Sequence, residues 1–164
     1  MTNKILRIGL VGCGQIADAH LQQIRRVSNA ETVAVCDIEP LLARQAAERF
    51  GVPMRFSNLN AMLHEAQLDV VHVTTPVHTH APLAIQLLEA GVHVYVEKPF
   101  TLDAVEAREV IKVAEENERL VCLGHDQLFD LEWLRACEIV ASGVLGEVRH
   151  VDSVLGYPIN GPFG

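Results

Sequence analysis

The chain lacks the positive charge that a polyanion-binding protein needs. It sets 13 basic residues against 21 acidic ones, a formal net charge of −8, so no basic excess is available to displace counterions from a nucleic acid or to hold an anionic membrane surface. Neither kind of partner is expected. Cysteine is sparse and unpaired: Cys13, Cys36, Cys122 and Cys137 form no CxxC motif. Three of them sit inside or beside apolar runs, as reduced core cysteines do, and a cytoplasmic location is expected. Long hydrophobic runs are missing too. No stretch reaches the roughly 20 apolar residues of a membrane span, and the opening MTNKILRIGLVG enters a glycine turn without a signal-cleavage pattern. Aromatics make up only 5% of the chain against 49% hydrophobic residues, the balance of a globular protein rich in small aliphatics rather than a disordered or fibrous one. No internal repeat or low-complexity tract is present, although the closing VLGYPINGPFG shifts to Gly, Pro and Asn. The length suits one ordinary domain able to bury about 70% of the surface its unfolded form exposes.

What is present is an alternation. Val- and Ile-rich runs exchange with segments of helical period, the mark of a parallel sheet built from strand-helix-strand units. Strands are expected over 5–11, 32–36, 55–56, 69–73, 93–96 and 120–123. The run DVVHV at 69–73 is nearly continuously apolar and reads as a strand buried on both faces. Helices are expected over 15–26, from Pro40 to the stop at Gly51, over 59–65 behind Asn58 as cap, from Thr79 as cap to Gly91, from Thr101 as cap to Asn117, and over 131–141 before Gly143. In the fifth helix Ala104, Ala107, Ile111 and Ala114 recur on one face. Residues 147–154 read as a strand leading away from the sheet. The expected fold class is therefore α/β, a doubly wound parallel sheet of the Rossmann type.

Between the first strand and first helix stands Gly12-Cys13-Gly14-Gln15-Ile16-Ala17, a GxGxxA form of the dinucleotide fingerprint. Gly12 would make the tight turn, Gly14 would admit a pyrophosphate close to the backbone, and Ala17 would let helix and strand pack closely. The phosphates would meet free N–H groups at a helix N-terminus. A glycine turn that merely joins a strand to a helix is the bland alternative. Against it, Asp37 closes the second strand about 23 positions after Gly14, near the roughly 20 expected of an acid that accepts the adenosine ribose hydroxyl. An acid there repels a 2′-phosphate, so NAD is favoured over NADP, with Arg44 on the next helix the residue that could still receive that phosphate.

In an open parallel sheet the ligand crevice lies beyond the carboxyl ends of the strands. Asp37, Thr74-Thr75-Pro76, Glu97-Lys98-Pro99 and Gly124-His125 all follow strands and should share one rim. The order of these pieces, with His80 and the run Ala90-Gly91-Val92-His93-Val94 leading into Glu97-Lys98-Pro99, resembles the Gfo/Idh/MocA family of NAD(P)-dependent dehydrogenases over essentially the whole chain. Ser142-Gly143-Val144-Leu145-Gly146-Glu147-Val148 is similar to that family's connection into a second domain. The resemblance implies that Lys98 is the active-site lysine, assisting loss of the substrate hydroxyl proton as hydride passes to the nicotinamide, with a sugar, cyclitol or related polyol as substrate. A lysine suits the role, as a cation or as an acid or base if its surroundings lower its pKa. Glu97 would orient or tune it. Pro99 restricts Lys98 to extended backbone, and a cis Lys98–Pro99 bond is expected more than at an ordinary X–Pro pair. A surface Glu-Lys pair of little energetic consequence is the alternative for this triplet.

The eight histidines do not suggest a metal, because His78 and His80 have no cysteine or carboxylate at ligand spacing. His80 is expected to hydrogen-bond across the crevice, and the resemblance places it on the cofactor side. His72 and His93 read as satisfied core or edge residues. His125 stands where the family often carries Asn or Arg, and it is a candidate catalytic residue beside a packing alternative. Cys13 is expected to fit the phosphate turn without redox chemistry. The expected site is thus Lys98 and His125 for catalysis, with Gly12, Cys13, Gly14, Gln15, Ile16, Asp37, Thr74, Thr75, Pro76, His80, Glu97 and Lys98 around the cofactor.

By the same resemblance, residues 1–123 form the NAD(P)-binding domain. Residues 124–164 form a connecting helix and first strand toward a C-terminal substrate domain that this sequence lacks. A strand at 147–154 without its sheet would seek a partner, so a homo-oligomer is expected. A non-catalytic NAD-binding module with a vestigial lysine site is the alternative to an oxidoreductase, and a Rossmann-like domain without nucleotide is a third reading.

Overall fold

A computed structural model describes residues 4–154. Six parallel strands form one sheet in the order β3-β2-β1-β4-β5-β6: β1 (Leu6–Val11), β2 (Ala30–Cys36), β3 (Met54–Phe56), β4 (Val70–Val73), β5 (His93–Val96) and β6 (Val121–Leu123). Between them run α1 (Ala17–Ile24), α2 (Pro40–Phe50), α3 (Leu59–Glu65), α4 (His80–Glu89) and α5 (Ala104–Glu116), and α6 (Leu131–Ala141) follows β6. The chain winds outward from β1 to one edge, then returns across β1 to build β4 and the other edge. This is the doubly wound Rossmann sheet, with its switch point between β1 and β4.

Apolar side chains on the two faces build two clusters. One gathers Val11, Met62, Val71, Val73, Leu87, Leu88, Val94, Val96 and Val110 under α3, α4 and α5. The other gathers Leu10, Leu21, Val35, Ala46 and Phe50 under α1 and α2. The described residues divide into two compact units after His125, and both clusters lie in the first. In the second, α6 exposes Leu131, Trp133, Leu134 and Val140. Among the described residues no helix is long and apolar enough to cross a membrane.

Several expectations need correction. Thr101 does not cap α5; Asp103 does, accepting the N–H groups of Val105 and Glu106 at 2.7 and 3.0 Å, while Glu106 reaches back to the Leu102 N–H at 3.0 Å. Asp103 stands directly before Ala104 with extended backbone, the cap position, whereas Thr101 lies two residues further out and its hydroxyl donates to the Asp103 carbonyl. Thr79 precedes α4 without capping it, because residues 77–79 already form a 3₁₀ turn and Thr79 has helical rather than extended backbone. On α5 the buried face is Val110 and Ala114, whereas Ile111, one residue and about 100° away, is exposed, as is Ala104. Residues 147–154 form no strand, since no described segment offers them a ladder, and the free edge inferred there is absent. The strand β4 is fully closed on one face and partly on the other: Val71 and Val73 are buried, Val70 and His72 partly so. Cys13 and Cys36 are core residues, but Cys122 and Cys137 are exposed.

Candidate cofactor and active site

The glycine turn is tied down from three sides. Gly12 leaves β1 with φ of +95°, a value open to glycine, and donates its N–H to the Cys36 carbonyl at 2.8 Å. From the end of β4 the buried Thr74 hydroxyl reaches the carbonyls of Val11 and Gly12 at 3.0 and 2.6 Å. From the end of β2 the Asp37 carboxylate accepts the Cys13 N–H at 2.7 Å on one oxygen and the Glu39 N–H at 2.8 Å on the other. Asp37 is therefore both a candidate ribose acceptor and the anchor of the turn. Burial, with Asp37 beside it, pushes the Cys13 thiol up to about 12, and burial pushes Cys36 to about 11, which leaves both thiols inert.

Gly14, Gln15 and Ile16 are exposed on the lip of this turn. No side chain caps the first turn of α1, so its leading N–H groups have no side-chain acceptor. Arg44 lies 3.9 Å from Glu48 on the same exposed helix face.

A second knot joins the segments after β4 and β5. The ring of His80, almost fully buried, spans two carbonyls: Nε2 lies 2.7 Å from Thr75 O and Nδ1 2.8 Å from Pro99 O. The Thr79 hydroxyl donates to that of Thr75 at 2.7 Å. Thr75 and Pro76 are thereby fixed beside the Lys98–Pro99 segment, whose peptide bond is cis.

At the third knot Glu97 turns back into the protein while Lys98 is exposed. One Glu97 oxygen accepts the Lys98 backbone N–H at 2.9 Å; the other meets His20 Nε2 at 3.0 Å. His20 Nδ1 lies 2.9 Å from His72 Nδ1, and the His72 ring stacks on Tyr95 with centroids 4.6 Å apart. Burial pushes His72 down to about 4, with His20 reinforcing the shift, so His72 is neutral near pH 7. Gly124, after β6, completes the group, because a Cβ there would stand 3.1 Å from Glu97 Oε1 and 3.2 Å from the Tyr95 hydroxyl.

All the expected site residues therefore follow the carboxyl ends of the strands or open the helices beyond them, and hydrogen bonds link most into the three knots. Gln15 and Ile16 stand on the open lip. His125 is exposed next to Gly124 at the outer end of the rim, and no hydrogen bond among the described residues ties its ring to Lys98. Sequence reasoning passed over His20, His72 and Tyr95 as a group. A signal existed: Glu97 directly follows β5, two residues after Tyr95, and β4–β5 register sets His72 against Tyr95. A cavity of about 270 Å³ bordered by Arg25, Glu31, Thr32 and Phe50 lies at the opposite end of the strands.

Comparison with known proteins agrees with this geometry. The family described as an oxidoreductase family with an NAD-binding Rossmann fold matches residues 6–125. Among curated relatives, inositol 2-dehydrogenase of Rhizobium meliloti is 32% identical over 146 residues, covering 89% of this chain and 44% of the relative. D-glucoside 3-dehydrogenase of Escherichia coli is 34% identical over 149 residues, 90% of this chain and 42% of the relative. Among solved structures, scyllo-inositol dehydrogenase from Lactobacillus casei with bound NAD(H) and scyllo-inositol superposes with a TM-score of 0.81 at 28% identity, over 88% of this chain and 43% of that one. The WlbA dehydrogenase from Bordetella pertussis in complex with NADH and UDP-GlcNAcA gives 0.83 at 29%, over 87% and 43%. The chain thus spans less than half the length of the relatives it matches.

Proposed function

Because this chain belongs to the Gfo/Idh/MocA family of oxidoreductases with an NAD-binding Rossmann fold, we propose that it is the cofactor-binding part of a dehydrogenase acting on a secondary alcohol of a sugar, cyclitol or related polyol. The observation that carries the reading is the open lip at Gly14. A Cβ there would meet nothing within 4 Å, so the space above its backbone is free, and no side chain caps the adjoining start of α1. That combination suits a pyrophosphate.

The residues divide the work as follows. Gly12, with Thr74 and Asp37 behind it, holds the turn rigid, and Gly14, Gln15 and Ile16 present its outer face. Each Asp37 oxygen already takes one backbone N–H, and a carboxylate has about four acceptor sites, so acceptors remain for two ribose hydroxyls. Thr75, Pro76 and His80 form the wall next to the Lys98 segment. NAD, when bound, supplies the hydride acceptor. Lys98 Nζ takes up or relays the proton of the substrate hydroxyl, a contribution of typically 10²- to 10⁴-fold in general acid-base catalysis. His125 would face the substrate from the rim beside it. The inositol and glucoside dehydrogenases among the relatives support this substrate class.

Calorimetric titration with NAD and NADP tests the cofactor reading. Micromolar NAD binding, weaker NADP binding and loss of the NAD signal in Asp37→Ala are expected. Asp37→Asn separates the two duties of Asp37, since it keeps one acceptor for the turn and loses the charge. Binding of neither nucleotide by the wild-type chain would overturn the proposal. For Lys98, NADH formation with myo-inositol or a methyl glucoside should fall by at least about 100-fold in Lys98→Met while NAD affinity is kept.

A further inference from the structure

We propose that His20 is a positioning residue for Lys98, acting through Glu97. That Lys98 handles the substrate proton rests on the function proposed above; the brace itself rests on the geometry. Lys98 is exposed and no hydrogen bond or ion pair among the described residues orients its side chain, so the set of its backbone decides where its amine can reach. Two contacts fix that backbone. Glu97 accepts the Lys98 N–H at 2.9 Å, and His80 meets the Pro99 carbonyl at 2.8 Å. The second contact is direct. The first is only as firm as the Glu97 carboxylate, and His20 is what holds its other oxygen, at 3.0 Å.

The surroundings of His20 leave it one way to serve Glu97. A carboxylate oxygen accepts, so His20 Nε2 must carry a proton. The Nδ1-to-Nδ1 contact with His72 at 2.9 Å needs one N–H and one lone pair. If His20 is neutral, its Nδ1 is the lone pair and His72 Nδ1–H donates; if His20 is cationic, it donates to both neighbours. Its Nε2 holds a proton in either case. His72 and Tyr95 lock the ring in place by a second hydrogen bond and by edge-on contacts, with centroids 5.2 and 5.6 Å away. The side chains of His20 and Glu97 are 9% and 14% exposed, so water competes little for the bond and its loss should be felt. Gly124 contributes by absence of a side chain, since any Cβ there would crowd Glu97 Oε1 at 3.1 Å.

Amide hydrogen exchange, read residue by residue by NMR on the full chain, tests the brace. In His20→Leu, which fills the space without a donor, exchange at the Lys98 amide should quicken at least about tenfold relative to the core amide of Val94. In His20→Gln, whose amide can donate near the position of Nε2, protection should return. An unchanged Lys98 amide, an equal rise at Val94, or no rescue by Gln would each overturn the proposal. A wild-type measurement guards against a misfolded variant: two-bond proton–nitrogen correlation spectra of the imidazoles should show His20 protonated at Nε2, and a His20 ring protonated at Nδ1 alone would refute the brace. NAD titration of wild type and His20→Leu reads the cofactor proposal separately. Failure of NAD binding with an intact exchange result would sink the function and leave the brace standing.

Discussion

At Gly12 a Cβ would stand 2.7 Å from the Thr75 side chain and 2.8 Å from the backbone of Thr74 and Thr75, on a backbone with φ of +95°. At Gly14 it would touch nothing. The two glycines of one motif therefore answer differently to the same methyl group. Gly12→Ala should cost about 2 kcal/mol or more in urea unfolding, because neither the clash nor the dihedral can relax cheaply. Gly14→Ala should leave the unfolding midpoint unchanged and weaken NAD binding, seen by calorimetry; an unaltered affinity would remove the pyrophosphate from that spot. His72 gives a pH prediction. Its folded pKa, near 4, lies below the ordinary 6.5, so between those values the unfolded chain binds the extra proton. Stability is then full above about pH 6.5 and falls as pH drops toward 4, by at most about 3 kcal/mol. Urea titrations at both ends of that window should show the loss, and His72→Gln should flatten it.

Elements with punctuation in the chain were legible from it; those that depend on neighbours were not. Pro40 and Gly51 bracket α2 as read, with Gly51 left-handed at φ of +64°, and Asn58 caps α3 through the Ala61 N–H at 3.1 Å. Asn58→Ala should therefore cost about 1 kcal/mol, with Asn58→Asp close to neutral, measured by urea denaturation. The start of α5 is ambiguous in the sequence because Thr101 and Asp103 are both good caps by residue type, and only where the backbone turns from extended to helical, directly after Asp103, decides between them. The partly open face of β4 was hidden for a related reason. A short apolar run looks alike whether one face or both are covered, and His72 finds its partners on α1 and β5, segments far apart in sequence. The rim residues were readable because they follow strands. The histidine brace beneath them was not, since it is made by three elements at once.

Across the whole molecule, both apolar clusters lie before His125, while the segment after it exposes Phe129, Leu131 and Val144. A chain ended after residue 125 should keep a cooperative urea transition at the same midpoint and the same NAD affinity; a broad, non-cooperative transition would show that the clusters need the later segment. The four cysteines carry a consequence on the same scale. Cys13 and Cys36 are sealed and inert, whereas Cys122 on β6 and Cys137 on α6 are open, one in each compact unit. A thiol reagent should count two groups in the native protein and four in denaturant. The wild-type chain thus already carries one attachment point for a dye on each side of the division after His125, a spectroscopic ruler that needs no mutation and reads whether the two units change their spacing when NAD is added.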